Sequence, residues 1–432
     1  MFPIALQSLM LASVATGDAI MLGRIEQDAM SAVSLASQIQ FVQNIILNAV
    51  TGTVVILAAQ YWGKGDRKRV NDIFIMGLRI VGIASLVFFL GCTLTPGILM
   101  RLFTNEPALI VTGSSYLHIA GWSYLITGIS QCYLALMKVS EHVGSAALIS
   151  SVTVILNLIL NAVFIYGLLG APSMLADGAA LATVTARVIE LVWAVTSFFR
   201  KGWMKPDLTR FFARDKQLAA DFRRIILPLV GASMLWGIGF TSYTAFIGHM
   251  GSDAAAANSV SAVIRELMCC LCNGISAAGG IMIGNELGAG KLERGKIYGI
   301  RLAKLAVLNG LAATVIVLLI TPFILRFMVL TAEAQRLLVY MMVIMAFYMI
   351  GRCTNTVVIN GIFDCGGDTL FDMYSLVVMM WLVAIPLAFA GAFIFHWSPI
   401  LVYACTCLDE VGKLPWVFVH FRKYKWVKDL TR

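Results

Sequence analysis

Long runs of apolar residues recur along this chain from its first residues almost to its last. A helix needs about 20 residues to cross the ~30 Å hydrocarbon core of a bilayer, and these runs are long enough. Backbone groups find no water there, so a spanning segment is a helix or a strand of a closed barrel, and the runs lack the period-2 alternation of barrel strands. Charged residues make up only 13% of the 432 positions, which leaves little chain for a soluble domain. The sequence therefore predicts an all-α polytopic membrane protein.

Breaks between the apolar runs predict about twelve transmembrane helices. They lie near residues 2–23, 30–62, 72–95, 110–137, 144–168, 178–199, 222–247, 255–286, 297–323, 334–362, 370–395 and 398–420. An even number of spans places both termini on one side of the membrane. The loops after spans two, six, eight and twelve are rich in Lys and Arg, whereas the loops on the other side are not. By the positive-inside rule, both termini are predicted to be cytoplasmic.

The two halves of the chain repeat each other. An ungapped shift of 225 positions pairs Gly23 with Gly248, Asp28 with Asp253, Asn48 with Asn273, Gly63 with Gly288 and Arg69 with Arg294. This duplication predicts two pseudo-symmetric six-helix lobes around a central cleft, an arrangement suited to alternating access. The predicted domains are an N-terminal lobe (1–199), a cytoplasmic basic linker (200–221), a C-terminal lobe (222–420) and a cytoplasmic basic tail (421–432).

Several features that would indicate another class of protein have simpler interpretations. The net charge of +9 comes from short basic stretches between apolar runs, so no nucleic-acid partner is predicted. The stretch Gly284–Lys291 looks like a phosphate loop, but Leu292 stands where Ser or Thr must meet magnesium, and a helix end with a glycine cap explains it better. The nine cysteines, including the C-x-x-C pair Cys269 and Cys272, are interpreted as small buried hydrophobes. No enzyme and no cofactor are predicted.

Polar residues within the spans are the candidate functional residues. Asp18 lies late in the first span, where an ionised carboxylate costs about 2.5–3.5 kcal/mol, so it should face a cavity or a partner unless it reaches water at the outer end. Asn157 and Asn161 are four residues apart and share one face of the fifth span. They are candidates for an ion site, or for ordinary hydrogen bonds between helices.

Other charges within the spans divide into two groups. Helical spacing predicts ion pairs within one helix for Arg187 with Glu190 and for Asp409 with Lys413. Arg265 and Glu266 are adjacent and point in different directions, so at least one of them needs a partner from another helix. Arg352 has no partner on its own helix. These three are candidates for lining the cleft.

Six short motifs together resemble the multidrug and toxic compound extrusion (MATE) family, within the multidrug, oligosaccharidyl-lipid and polysaccharide exporter superfamily. They are Pro3, Asp18–Gly23, Ala58–Gly65, Asn157, Asp177–Thr183 and Gly361–Thr369. The resemblance covers nearly the whole chain. It implies two six-helix lobes that form a V-shaped cleft and exchange organic cations for H⁺ or Na⁺. The family's ion site would map onto Asp18, Asn157, Asn161 and Thr183, with Asp18 as a candidate Na⁺ ligand.

The chain also departs from the family pattern at four positions. Asn161 stands where an Asp is common, Trp236 where a seventh-span Glu would be, Cys353 where a tenth-span Asp would be, and Asp364 where an Arg is usual. The coupling ion is expected to bind in the N-terminal lobe for this reason. Trp236 joins the candidate cleft-lining residues.

The predicted function is secondary active efflux of organic cations or drugs, in exchange for H⁺ or Na⁺, by a monomer in the cell inner membrane. Three alternatives remain open. A flippase for lipid-linked precursors would use fixed cations such as Arg265 and Arg352, and a major-facilitator antiporter is suggested by the loop Gly63–Arg69, whose spacing is one residue short. The third is a non-transporting receptor or scaffold. Pro3 leaves almost no lead before the first span, so a truncated or late-initiated start is also expected.

Overall fold

The computed structural model describes residues 27–170, 172–199, 203–212, 215–327 and 330–431. These residues form helices, turns and loops, with no strand among them. Nine of their helices are long and apolar enough to cross a membrane. The prediction of an all-α polytopic membrane protein is therefore confirmed. The first predicted span, 2–23, lies outside the described residues.

The described residues divide into two compact units, which part at Arg223 and Arg224. The helices of the first unit are α1 (Gln27–Lys64), α2 (Arg67–Leu94), the short α3 (Pro96–Arg101), α4 (Pro107–Val139), α5 (Val143–Tyr166) and α6 (Leu175–Ser197). Helix α4 packs against α1, α2 and α6. Small side chains on the buried faces, such as Ala36 on α1 and Ala180 on α6, allow close approach of the backbones, as is usual between membrane helices.

The second unit has a more irregular end. Its helices are α7 (Lys216–Gly248, which begins within the first unit), α8 (Ser252–Gly288), α9 (Leu292–Phe327), α10 (Ala332–Asn355), α11 (beginning as Thr369–Leu376), α12 (Pro399–Thr406), α13 (Leu408–Val411) and α14 (Leu414–Arg422). Helix α10 continues as a π-helix over Thr356–Phe363. Helix α11 continues through Val377–Ala384 and Ala390–Ile394, which are also π-helical, with Ile385–Phe389 between them.

The order of helices repeats at the spacing of the sequence duplication. Four helices of the first unit have a counterpart in the second that begins 224 to 226 positions later. The paired first residues are Arg67 and Leu292, Pro107 and Ala332, Val143 and Thr369, and Leu175 and Pro399. The turns repeat as well. Gly65 after α1 and Gly290 after α8 both have left-handed backbones, with φ of 84° and 74°. The interpretation of Gly284–Lys291 as a helix end capped by glycine is thus confirmed, because only Gly adopts this conformation without a steric penalty.

The twelfth predicted span, 398–420, differs from the expectation of one continuous helix. It forms the three short helices α12, α13 and α14. Pro415 lies in the first turn of α14, where its missing N–H interrupts the hydrogen-bond ladder. The π-helix after α10 lies very close to α8, because a Cβ added to Gly280 would come 2.9 Å from the carbonyl oxygen of Gly361. These details position the side chains of the second unit.

Residues of the predicted linker, 200–221, bind to the start of α2 within the first unit. Asn71 accepts a hydrogen bond from the Asp207 backbone N–H at 2.8 Å and donates one to the Asp207 carbonyl at 3.1 Å. Arg69 forms an ion pair with Asp215. The Asp215 carboxylate also accepts hydrogen bonds from the backbone N–H groups of Gln217 and Leu218, at the start of α7. Part of the predicted linker is thus fixed on the first unit.

The Asp215 contacts predict a pH-dependent contribution to stability. Hydrogen bonds from the Leu218 N–H and from Arg69 lower the pKa of the Asp215 carboxyl. Its ionised form therefore stabilises the fold above the ordinary carboxyl pKa of ~3.9, and this stabilisation is lost as pH falls through the lower pKa of the folded state. Asp215→Asn is expected to lower stability at pH 7 by no more than about 1 kcal/mol, because the pair is partly exposed. Thermal unfolding in detergent at pH 7 and pH 3 measures it, and an equal difference at both values would contradict the prediction.

Candidate functional site

The candidate ion site of the N-terminal lobe is partly assembled in the first unit. Asn157 donates a hydrogen bond to the Thr183 hydroxyl, with a distance of 3.3 Å between Nδ2 and Oγ1. Asn161 donates to Asn157 Oδ1 at 3.4 Å, and both Asn residues are buried. The structure thus brings together three of the four residues, from α5 and α6. Asp18 lies outside the described residues.

A second group of polar residues surrounds a cavity in the second unit. Trp236, Arg265, Glu266 and Arg352, the four candidate cleft-lining residues, all line it. The empty space amounts to about 350 Å³, counting the part that opens to solvent. The remaining lining residues are mostly aromatic or polar, namely Phe240, Tyr243, Tyr348, Thr406, Cys407 and Asp409. Residues from α7, α8, α10 and the α12–α13 region therefore meet here.

Glu410 on α13 is the centre of a buried ion-pair network beside this cavity. Its Oε1 lies 2.8 Å from Arg352 Nη1, and its Oε2 accepts a hydrogen bond from Asn355 Nδ2 at 2.8 Å. Lys413 Nζ lies 3.7 Å from the same Oε1. The side chains of Glu410 and Lys413 are each only 4% exposed. Arg352, which has no partner on its own helix, is neutralised by a carboxylate from the end of the chain.

The predicted ion pair between Asp409 and Lys413 is wrong, because Lys413 has a different partner. Lys413 forms its ion pair with Glu410, three residues away, rather than with Asp409. The backbone keeps helical dihedrals through Gly412 and Lys413, so both spacings are possible, and Lys413 pairs with the carboxylate that also binds Arg352. The other predicted pair is confirmed, since Arg187 Nη1 lies 2.7 Å from Glu190 Oε2.

Arg265 and Glu266 approach each other as a loose ion pair, although adjacency on a helix predicts divergent orientations. The Arg265 guanidinium lies over the ring of Phe240 on α7, 4.4 Å from its centroid, so its main contact comes from another helix. Its Nε is 3.9 Å from Glu266 Oε1, and the Glu266 side chain is 53% exposed. Arg352 lies over Trp236 at 5.8 Å. Both arginines are therefore held by aromatic rings of α7.

The cysteines and the departure at Asp364 have clear structural positions. All nine cysteines are free and buried, and Cys272 donates from its Sγ to the Cys269 carbonyl at 3.1 Å, so their interpretation as small core residues is confirmed. Within the described residues no group of His, Cys, Asp or Glu has metal-binding geometry. Asp364 is buried in the helical turn that ends the π-helix, where burial raises the pKa of its carboxyl and the charges of Asp372 and Asp368 add to the shift.

Glu410 is the central residue that sequence reasoning missed. It stands between Asp409 and Lys413 in the last apolar run, and three charges within five residues of a membrane segment indicate a polar network. The i to i+3 spacing of Glu410 and Lys413 favours an ion pair within one helix as well as the i to i+4 spacing of Asp409 and Lys413 does. The distant partner Arg352, 58 residues earlier, has no signal in the local pattern.

The comparisons with known proteins agree with this architecture. The MatE family model matches residues 3–163 and again 228–390, one match in each half. The "Uncharacterized transporter YisQ" of Bacillus subtilis is 23% identical over 397 residues, covering 90% of this chain and 85% of that protein. A "Probable multidrug resistance protein NorM" of Rhodopseudomonas palustris is 26% identical over 402 residues, covering 91% and 84%.

A solved structure extends the likeness to the fold. An outward-facing multidrug resistance MATE family transporter of the MOP superfamily superposes with a TM-score of 0.89 at 14% identity, covering 98% of this chain and 94% of that one. At such identity the likeness concerns the fold alone. The family model itself covers well over half of the sequence. This chain belongs to the MatE family of multi-pass membrane transporters.

Proposed function

We propose that this protein is a secondary active exporter of organic cations and drugs, which it exchanges for H⁺ or Na⁺ by alternating access. The observation that carries the proposal is the match of the MatE family model to both halves of a duplicated chain. Relatives named as multidrug resistance proteins support the substrate class. The proposed location is the cell inner membrane, with both termini cytoplasmic, and the proposed state is a monomer.

The proposed coupling site comprises Asp18, Asn157, Asn161 and Thr183. The hydrogen bonds that join the last three support it, because buried amide and hydroxyl groups supply oxygen ligands beside a carboxylate. Ionised Asp18 would favour a cation in the cleft, and H⁺ or Na⁺ would compete with that cation. Such exchange drives transport only if each ligand binds the inward and outward states with different affinity.

The contacts of the second unit weigh against the flippase alternative. That function would require fixed positive charge for a phosphate-linked headgroup. Arg352, however, is neutralised by Glu410 at 2.8 Å, and Arg265 lies over an aromatic ring with Glu266 nearby. The arginines of this cavity are thus part of a balanced network.

Reconstitution in liposomes tests the proposed function. Purified protein should move a fluorescent organic cation uphill when an inward gradient of H⁺ or Na⁺ is imposed, and dissipating the gradient with an ionophore should stop the movement. The ion whose gradient drives the uphill movement is the coupling ion. Uphill flux that persists without either gradient, or movement of a lipid-linked precursor instead, would contradict the proposal.

A further inference from the structure

A turn of the linker lies beside the part of α2 that is predicted to cross the membrane. This linker turn, Leu208–Phe212, begins with a 3₁₀ helix that packs against α2. Arg210 Nη1 lies 3.1 Å from Asp72 Oδ1, and the Arg210 carbonyl accepts a hydrogen bond from Arg79 Nη2 at 3.1 Å. Arg79 lies about 18 Å along the helix axis from the first residue of α2. The contacts of the linker thus continue from the start of α2 into the third predicted span, 72–95.

Arg79 indicates the level at which the linker turn lies. An arginine within a membrane helix is costly unless it reaches water or a partner, and long basic side chains bend toward the nearer membrane surface. The Arg79 guanidinium donates to the Arg210 carbonyl and lies over the Phe211 ring, 5.3 Å from its centroid. The linker turn supplies both partners, so it lies between the levels of Asp72 and Arg79. These two helical turns open the predicted span, at the boundary between lipid headgroups and hydrocarbon.

The linker turn exposes large apolar side chains at this level. Phe212 is 88% exposed and Leu208 is 48% exposed. The ring of Phe211 meets that of Phe212 edge to face, with centroids 5.3 Å apart. Exposed apolar groups that lie together indicate a contact surface. Beside a membrane helix, the neighbour that such a surface meets is lipid.

The charge around the linker turn indicates which lipids it meets. Residues 200–221 contain six basic and three acidic side chains, a net charge of +3, and α2 begins with Arg67, Lys68 and Arg69. Anionic headgroups of the cytoplasmic leaflet attract basic segments that lie within a Debye length of the surface. Apolar side chains that enter the acyl boundary beside basic residues are typical of an interfacial anchor. An anionic lipid surface therefore fits both properties of the linker.

We propose that the linker turn is an interfacial membrane anchor, in which Leu208 and Phe212 insert between anionic lipids beside α2. Part of the linker then lies in the membrane surface rather than in the cytoplasm, and it stays attached to the first unit. The side of the membrane rests on the proposed topology. The depth of the anchor depends neither on that topology nor on the transported compound.

Nitroxide accessibility in liposomes tests this depth. The full-length variants Leu208→Cys, Phe212→Cys and Gln217→Cys are spin-labelled in vesicles of phosphatidylcholine and phosphatidylglycerol. All nine native cysteines are buried, so the parent protein treated with the same reagent gives the background. Collisions with O₂, which concentrates in hydrocarbon, should exceed those with a water-soluble nickel chelate at positions 208 and 212. Gln217 is exposed in the first turn of α7, and this matched control should show the reverse.

Two results at position 212 would overturn the anchor. Free access of the nickel chelate would place the linker turn in water, and low access of both reagents would mean that protein covers it. Immersion should also be shallower in vesicles of phosphatidylcholine alone. Equal immersion in both kinds of vesicle would overturn the preference for anionic lipids.

Phe212→Ser tests whether the exposed ring holds the linker turn in the membrane. Because this side chain is 88% exposed, its replacement leaves the packing of the protein intact. A nitroxide at Leu208→Cys in the same chain should become several-fold more accessible to the nickel chelate, and unchanged immersion would contradict the role of Phe212. Loss of gradient-driven transport with an immersed position 212 would contradict the proposed function only, whereas driven transport with position 212 in water would contradict the anchor only.

Discussion

Replacing Glu410 with glutamine is expected to lower the free energy of unfolding by about 3–5 kcal/mol, the range for breaking one side of a buried ion pair. The substitution leaves Arg352 and Lys413 without their counter-ion, and the Lys413 side chain is only 4% exposed. It also turns an amide N–H₂ toward the donors of Arg352 or Asn355, which previously met carboxylate oxygens. The expected loss of stability therefore comes both from the missing charge and from the mismatched hydrogen-bond donors.

Chemical or thermal unfolding in detergent measures this loss. Glu333→Gln removes an exposed carboxylate on α10 and should change stability by less than about 1 kcal/mol, so it controls for the loss of charge alone. In the double variant with Arg352→Gln, the combined loss should be smaller than that of the two single variants added together, since both remove the same contact. Near-parent stability of Glu410→Gln would show that the network contributes little.

Replacing Asp18 with asparagine is expected to reduce gradient-driven efflux to background. Asparagine keeps the size and much of the hydrogen bonding of aspartate but cannot be protonated or ionised in this range. If Asp18 exchanges H⁺ or Na⁺ for the transported cation, the substitution separates binding from energy coupling. Facilitated movement of the cation down its own gradient should survive, with a modest loss of affinity.

Uphill transport in matched proteoliposomes measures the effect. Equal amounts of parent, Asp18→Asn and Glu333→Gln protein should be compared under the same imposed gradient, with Glu333→Gln retaining the parent rate. Asn157→Ala should weaken coupling less than Asp18→Asn does, because it removes a neutral ligand only. Parent-level uphill efflux by Asp18→Asn protein would exclude Asp18 as the coupling residue.

The local pattern was sufficient for the predictions that depend on one helix. Asn157 and Asn161 share a face because of the helical repeat, and Arg187 pairs with Glu190 for the same reason. The shift of 225 positions also predicted repeated turns, and Gly65 and Gly290 have the same left-handed conformation. Such features follow from neighbouring residues and from the bilayer, which permits helices and little else.

The Asp409 prediction failed because helical spacing alone offered Lys413 two carboxylates. Asp409 and Glu410 both lie within one turn of Lys413, and Lys413 pairs with Glu410, which also binds Arg352 on α10. The π-helical stretches of α10 and α11 additionally change which residues face a neighbouring helix. Hydropathy is unchanged by a shift from i+4 to i+5 bonding, so the sequence pattern does not reveal it.

The sequence by itself determined the class of this protein, its duplication and the residues that a membrane makes costly. Apolar length, the distribution of basic residues and helical periodicity are properties of short segments, and a bilayer leaves them few ways to fold. The tertiary structure decided which distant side chains meet. The ion pair of Arg352 with Glu410, and the cavity that Asp409 lines together with Tyr243, depend on how α7, α8, α10 and α13 pack. A contact between positions far apart in the chain leaves no trace in either local pattern.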